Sequence, residues 1–370
     1  MRGITHRGTK GTTRRLRTPV SAAAVAVLAV TAVPPGAAAA GPAGVRAAGV
    51  ERLSVATDGT QGDGHSVDAS ITPDGRRVVF TSSAGNLIPG GTTATRKVYL
   101  RDRQAGQTTR LGHEEPLKPA AISGDGGFAG YPVQWMRNEH IRLHRVSTGE
   151  SIGHSCTAYN CEMSLGADGL RLAYSVRFRP PEPNQRIEVV DWVSNHTYTV
   201  DVLHNTHPSR PSLSDDAHHL AYQDGGEQDV FVWNRTTGTP VGPIEGPARA
   251  ATLVQLSDDG STVVYLSGAD TYVHDTASGT ARTVPDVRGV AIDPTGRFLL
   301  YAPSGTSGPS PLTLRDLRTG TDATVSAQPA TAGIDAVSAG GREVVFQSAA
   351  EDIVPGDTNG RTDVFLRSLP

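Results

Sequence analysis

The chain is poor in the residues that build most catalytic centres and helical cores. Of its 370 residues only two are cysteines, Cys156 and Cys161, which excludes a four-cysteine zinc site. An even pair favours a disulfide in an oxidising compartment. The loop between them is short, so its entropic gain is modest; two unpaired buried thiols are the alternative. No H-E-x-x-H pair and no G-x-S-x-G elbow occurs, which removes the commonest zinc-protease and α/β-hydrolase signatures. Aromatics make up 5 % of the chain, and no stretch sustains a helical period. What is abundant is turn-forming: 42 Gly and 25 Pro. Short strands joined by many turns follow, hence an all-β fold.

Residues 1–40 read as a secretory signal peptide. Arg2, Arg7, Lys10, Arg14, Arg15 and Arg17 precede an apolar run from Val20 to Val33, and Ala38–Ala40 supply a small-residue cleavage site. The run falls short of the ~20 residues a membrane span needs, and no Cys follows to carry a lipid. Arg14-Arg15 hints at twin-arginine export, but Leu16-Arg17 fits it poorly, and the plain secretory route is preferred. The expected organisation is a signal at 1–40, a linker at 41–50 and one domain at 51–370, located outside the cell. Removing the six basic residues of the leader leaves 28 Lys and Arg against 37 Asp and Glu. That acidic surface argues against nucleic acid or anionic lipid as the partner.

One pattern recurs seven times: a polar turn, a β-rich run, then an aromatic. The runs are Thr72–Phe80, Ser123–Tyr131, Gly166–Tyr174, Ser214–Tyr222, Ser257–Tyr265, Asp293–Tyr301 and Ser338–Phe346. Gly occupies one turn column at 75, 126, 169, 260, 296 and 341, with Ala217 as the exception. An aliphatic stands four residues earlier and the aromatic five residues later. Asp-Gly suggests a type I′ hairpin, Ala217 suggests a different turn, and the aliphatic and aromatic are expected to pack between sheets. A second hairpin follows in the first six units, marked by Asp102/Gly106, Arg145/Gly149, Asp191/Asn195, Asn234/Gly238, Asp275/Gly279 and Asp316/Gly320. Four-stranded units repeated at this spacing are propeller blades. The expectation is a seven-bladed β-propeller of four-stranded antiparallel blades, six or eight blades being the alternatives. The seventh unit lacks its last strand, and Glu51–Ala56 is the spare strand expected to close the ring.

These repeats resemble the TolB-like, WD-repeat-related propellers of secreted bacterial proteins, especially in blade one (65–90) and blade seven (333–367). The resemblance covers about residues 51–370. It implies the fold and leaves function open, because the family includes protein-binding scaffolds and non-catalytic domains attached to enzymes.

A site is expected on the face bearing the loops between second and third strands. Phe80 to Asp102 and Phe346 to Ser368 each span 22 residues, against 10 from Tyr265 to Asp275. The two long loops share a motif at Asn86–Gly90 and Asp352–Gly356, and blade three inserts Arg177–Arg186. Such loops often carry binding, although they also suit a cover for the ring's seam. Asp68, Lys118, Glu162, Arg210, Arg288 and Asp335 are placed at the channel mouth by counting back from the turn column. Their mixed signs suit a polar or peptide-like partner; solvated charges at a wet mouth are the plainer reading. Asp357 to Asp363 resembles part of a calcium loop but lacks the terminal Glu. His140 and His144 share a strand face, His204 and His207 sit in a loop, and His218-His219 follow a turn, without forming a ligand motif. Asn195 and Asn234 begin glycosylation sequons. No catalytic residue, metal or cofactor is assigned. The preferred function is a monomeric, non-catalytic binding or scaffold propeller for a protein, peptide or cell-envelope component; the alternative is a small-molecule hydrolase or lyase at the channel mouth.

Overall fold

The structure is a computed structural model that describes residues 49–91, 95–156, 160–177, 185–200, 208–225, 228–248 and 250–370. The expected leader (1–40), most of the expected linker, the blade-three insertion from 178 to 184, His204 and His207 lie outside the described residues.

Seven antiparallel sheets are present, and blade one shows the plan. Its strands, from the axis outward, are Ser66–Ile71, Arg77–Ser82, Lys97–Asp102 and Gln107–Leu111. Blades two to six repeat it with four consecutive strands each. Blade seven uses Glu343–Ser348 and Asp363–Ser368, and its outermost strand is Gly49–Arg52 from the other end of the chain. The closing strand pairs Gly49 with Ser368 and Arg52 with Phe365, and the Leu53 amide extends it to the Val364 carbonyl at 2.8 Å. Closure by the N-terminal segment therefore stands, but it begins at Gly49, inside the expected linker, and not at Glu51. The shift places Ser54 where its hydroxyl donates to buried Asp363 at 2.5 Å. Blade seven also departs from the plan at the axis. Its innermost strand survives only as the bridges Thr331↔Gln347 and Val337↔Val344, and the residues between them bend toward blade one, where the Asp335 carbonyl accepts from the Ile71 amide at 2.9 Å.

The first turns of blades one to six correct the type I′ expectation, while in blade seven both Gly340 and Gly341 are left-handed, at φ 75° and 66°. In blade one the Gly75 amide donates to the Thr72 carbonyl at 2.8 Å, and Gly75 alone is left-handed, with φ 71°. Type I′ requires two left-handed residues, so this is a type I turn followed by a left-handed residue. Ala217 adopts the same conformation at φ 55°, with its amide 2.8 Å from the Ser214 carbonyl. Substitution of Gly by Ala therefore changes the strain and not the turn.

These turns touch one another around the axis. Asp125 N–H donates to Ala167 O (2.9 Å), Ala167 N–H to Asp215 O (3.0 Å), and Asp215 N–H to Asp258 O (2.7 Å). Asp259 N–H donates to Pro294 O (3.1 Å) and Ala339 N–H to Pro73 O (2.9 Å). Arg77 to Gly126 O (2.8 Å) and Gly340 N–H to Asp293 Oδ2 (3.0 Å) supply the remaining steps. Every neighbouring pair of blades is thus tied at this end. The turn Gly also makes room for the preceding blade: a Cβ on Gly169 would lie 2.5 Å from Phe128 Cβ, and one on Gly341 would lie 2.6 Å from Phe298.

The column aromatics lie within the interblade cores as expected. Four of them stack on the aromatic directly across the sheet: Phe80 on Tyr99, Tyr222 on Phe231, Tyr265 on Tyr272 and Phe346 on Phe365, with centroids 5.3–5.9 Å apart. Such a pair adds about 1 kcal/mol beyond burial. The Asp and Asn residues ending third strands cap the next turn, as when Asp102 accepts from the Gln104 and Ala105 amides. Asp102 and Asp316 also take guanidinium groups from their own blades, Arg76 with Arg77 and Arg297 respectively.

Candidate functional site

The axis narrows at one level. The seven column aliphatics, Ile71, Ile122, Leu165, Leu213, Leu256, Ile292 and Val337, border an axial cavity of only about 30 Å³. They were expected between the sheets; they occupy the interblade cores and also ring the axis. That volume holds about one water, so the channel is narrow at this level.

Acidic groups gather around this ring. Asp215, Asp258 and Asp335 all border the cavity. Burial, followed by repulsion from Asp216 and Asp125, raises Asp215 to about 6. Burial and the Asp215 charge raise Asp335 to about 6. Asp258 is pushed well above the carboxylate range by burial and then by Asp335 and Asp215. Buried Gln255 of blade five serves this cluster, donating through Nε2 to Asp335 Oδ1 at 2.7 Å while its Oε1 accepts the Ile292 amide of blade six at 3.1 Å.

The six mouth residues do not form one constellation. Glu162 and Arg210 are joined, the Arg210 amide donating to Glu162 Oε2 at 2.6 Å, while the Arg210 guanidinium reaches Leu253 O at 3.2 Å. Asp335 faces Gln255. Arg288 is half-buried, with an Nε that lacks a hydrogen-bond partner among the described residues. Lys118 is exposed in the connector from blade one to blade two. Asp68, Arg210 and Asp335 share a backbone feature invisible in the sequence: each has a left-handed φ, at 57°, 52° and 55°. Non-glycine residues seldom adopt it. At Asp68 and Arg210 it accompanies a β-bulge in the innermost strand, and bulges re-aim side chains at sheet rims.

A concavity opens off the Asp68 bulge. A cleft of about 630 Å³ is lined by Val67, Asp68, Arg96, Thr331, Gln347 and Ala349, with Pro309 and Pro329 as rigid apolar walls. It lies where the bases of the blade-one and blade-seven long loops meet the connector from blade six. The Asp68 carboxylate is half-buried there without a hydrogen-bond or ion-pair partner among the described residues, and burial raises its pKa. The Oε1 of Gln347 is buried without a hydrogen-bond partner among the described residues. A second groove of about 380 Å³, lined by Glu114, Glu115, Leu117 and Gln134, shares Arg96 with it. Beyond stands the exposed Trp135-Met136 tip of blade two, with Arg142 stacked on the indole at 5.0 Å. Arg96, Gln347 and Gln255 were missed because no motif marks them; the one available signal was an amide side chain in an otherwise aliphatic run.

The remaining candidates resolve into structural roles. Arg52, Gln61, Ser54 and Asn359 occupy the carboxylates of the calcium-like segment: Arg52 lies 3.3 Å from Asp357, and Gln61 and Asn359 each donate to Asp363 at 3.0 Å. These contacts pin the closing segment to blade seven. Cys156 and Cys161 form the disulfide in the connector between blades two and three. His144 is buried against Tyr131, their Nε2 and Oη 3.0 Å apart, and burial lowers its pKa. His218 meets Arg235 and His219 meets Asn234. Asn195 is exposed, whereas Asn234 also accepts the Thr236 amide. Among the described residues no three His, Cys, Asp or Glu side chains converge as a metal-binding set, and no helix is long and apolar enough to cross a membrane.

No protein-family model and no curated protein matches the chain. Among solved structures it is similar to an oligogalacturonate lyase in complex with manganese, at TM-score 0.59 and 16 % identity, over 87 % of this chain and 93 % of that one. It is similar to the Swd1 (Cps50) β-propeller domain of Myceliophteria thermophila at TM-score 0.53 and 11 % identity, over 83 % and 97 %. TolB of Acinetobacter baumannii aligns at TM-score 0.47 and 14 % identity, over 72 % and 64 %, too low to carry an argument. These likenesses show the propeller fold alone.

Proposed function

We propose that the chain is an exported, non-catalytic binding propeller of the TolB-like kind, holding a protein, peptide or cell-envelope component on its loop face. The cleft between blades six, seven and one carries this reading. It has the volume of a ligand site, apolar walls with few polar groups, a buried unsatisfied acceptor on Gln347 and a half-buried carboxylate on Asp68 with no direct partner among the described residues. Both long loops contribute to it, which gives their extra length a use. Secretion is supported by the leader-like first 40 residues and by the disulfide.

A second reading, a hydrolase or lyase at the channel mouth, draws on the fold shared with the manganese-bound lyase. The narrow axis and the scattered mouth residues favour the binding reading over it.

The test is a thermal-shift screen of the protein and its Ala349→Trp variant against peptides, glycans and envelope extract. Ala349 is exposed at the cleft, so Trp fills the cleft and spares the core. A ligand at 100 times its Kd adds about 2.7 kcal/mol. The expected result is a shift that Ala349→Trp abolishes. A shift that survives this variant moves the site elsewhere, and turnover of a glycan would establish the enzyme reading.

A further inference from the structure

Resting on the cleft as a binding site, we infer that its ligand group is a cation on an apolar stem: the lysine or arginine side chain of an extended peptide. Three observations assign it. First, the polar groups facing the cleft without partners are acceptors. Among the described residues Asp68 has no hydrogen-bond or ion-pair partner, and the Gln347 amide oxygen is buried without a hydrogen-bond partner. A half-buried carboxylate without a direct partner is a ready acceptor for an incoming donor. Second, the bulge holds Asp68 in a left-handed conformation at φ 57°. Such strain persists where surroundings over-determine it, and here it turns a carboxylate toward the cleft. Third, Val67, Pro309, Pro329, Ala349 and Ala350 form the walls. They suit the methylene stem of a basic side chain, which buries its carbons while its charged head finds a partner.

The one cation in the cleft, Arg96, attracts the Asp68 carboxylate from a distance without an ion-pair or hydrogen-bond contact among the described residues. Arg96 is a rim residue with a 51 % exposed side chain, and its guanidinium lies 3.7 Å from Glu115. Glu114 and Glu115 continue the acidic character into the adjoining groove, along which an extended chain would run. The ring's surplus of acidic over basic residues favours a basic partner over an acidic one.

The experiment uses the whole chain and three blocked, dye-labelled pentapeptides with lysine, acetyl-lysine or glutamate at the centre, read by fluorescence anisotropy. An alkyl diamine serves as competitor, to distinguish a free amine from a peptide side chain. Saturable binding of the lysine peptide is expected, with loss on acetylation. Asp68→Asn should weaken it about tenfold or more; Asn accepts the left-handed backbone, so the fold is spared. Arg96→Ala should leave it unchanged or tighter. Full displacement by the diamine at the peptide's own affinity would reassign the ligand to a free amine. Equal binding of lysine and acetyl-lysine peptides, or insensitivity to Asp68→Asn, overturns the inference. If the glutamate peptide binds and Ala349→Trp blocks it, the cleft stands as a binding site and the cation assignment falls. If no peptide binds and Ala349→Trp alters nothing in the wider screen, both fall.

Discussion

Replacing Gly169 with Ala separates two roles of the turn glycines. Gly149 and Gly169 are both left-handed, at φ 71° and 64°. A Cβ on Gly149 would meet nothing within 4 Å, whereas one on Gly169 would sit 2.5 Å from Phe128 Cβ and 2.7 Å from its Cδ2. Left-handed backbone costs Ala about 1–2 kcal/mol, and the stiffer unfolded chain returns about half of that. Gly149→Ala should therefore cost about 1 kcal/mol. Gly169→Ala adds overpacking against a buried ring fixed in the preceding blade, about 1–3 kcal/mol more. Ala217 is the internal control. Ala217→Gly relieves the backbone but removes one fully buried methyl group, worth about 0.8 kcal/mol, so its net effect should be near zero. Urea unfolding followed by tryptophan fluorescence and by far-ultraviolet circular dichroism measures all three; coincident transitions are required before free energies are extracted. If Gly169→Ala costs no more than Gly149→Ala, the turn glycines answer only to backbone conformation, and the proposed interlock between blades is wrong.

Arg103 is 4 % exposed and pairs with Glu51 of the closing strand at 2.6 Å and with Glu343 at 2.8 Å. Arg103→Ala should cost about 2–4 kcal/mol, and deletion of residues 41–57 should expose a strand edge and produce oligomers on size exclusion with light scattering; a deleted chain that stays monomeric with an unchanged Tm would refute the closure. Asp215 and Asp335 are raised to about 6 and Asp258 is raised, so the folded state binds protons more readily than the unfolded chain there. Their contribution is complete below the unfolded value and is lost as pH rises through about 6. Stability should increase by about 1–3 kcal/mol from pH 7 to pH 5, then decline in stronger acid, where Asp102, Asp191 and Asp316, all lowered, give up their contributions. Asp335→Asn should raise the urea midpoint at pH 7 and flatten that rise; an unchanged pH profile would count against the axial cluster. Reducing Cys156–Cys161 opens a loop whose cysteines are five residues apart, which should lower stability by about 2 kcal/mol, with both thiols titrating only after reductant is added.

The repeat was legible because each blade must solve the same problem. A left-handed turn calls for Gly, a strand facing its neighbour calls for an aliphatic and an aromatic, and seven copies in register leave a pattern that local reading detects. The stacked partners Tyr99, Phe231, Tyr272 and Phe365 lay in the same reach of the signal, each within a short alternating run before the third-strand acid or its equivalent. The site was less legible. Counting along the innermost strands brought out Asp68, but it also gathered Asp335, which borders the axial cavity, and Lys118, Arg288 and the Glu162–Arg210 pair, none of which lines the cleft.

Composition and period alone thus determined the all-β class, the blade number and the need for an N-terminal strand to finish the last sheet, since these follow from short-range chemistry repeated at a fixed spacing. Tertiary structure alone decided the rest. The closing strand meets blade seven beside the buried acceptor Asp363, which Ser54, Gln61, Asn359 and Arg52 all contact. The axis was narrowed by seven aliphatics meeting from seven blades. The cleft arose where Asp68, Arg96, Pro309, Pro329 and Gln347, scattered across the chain, meet at the seam of the ring. A site assembled from both ends of a chain leaves no local trace, because its residues are selected by distance in space and not by spacing in sequence.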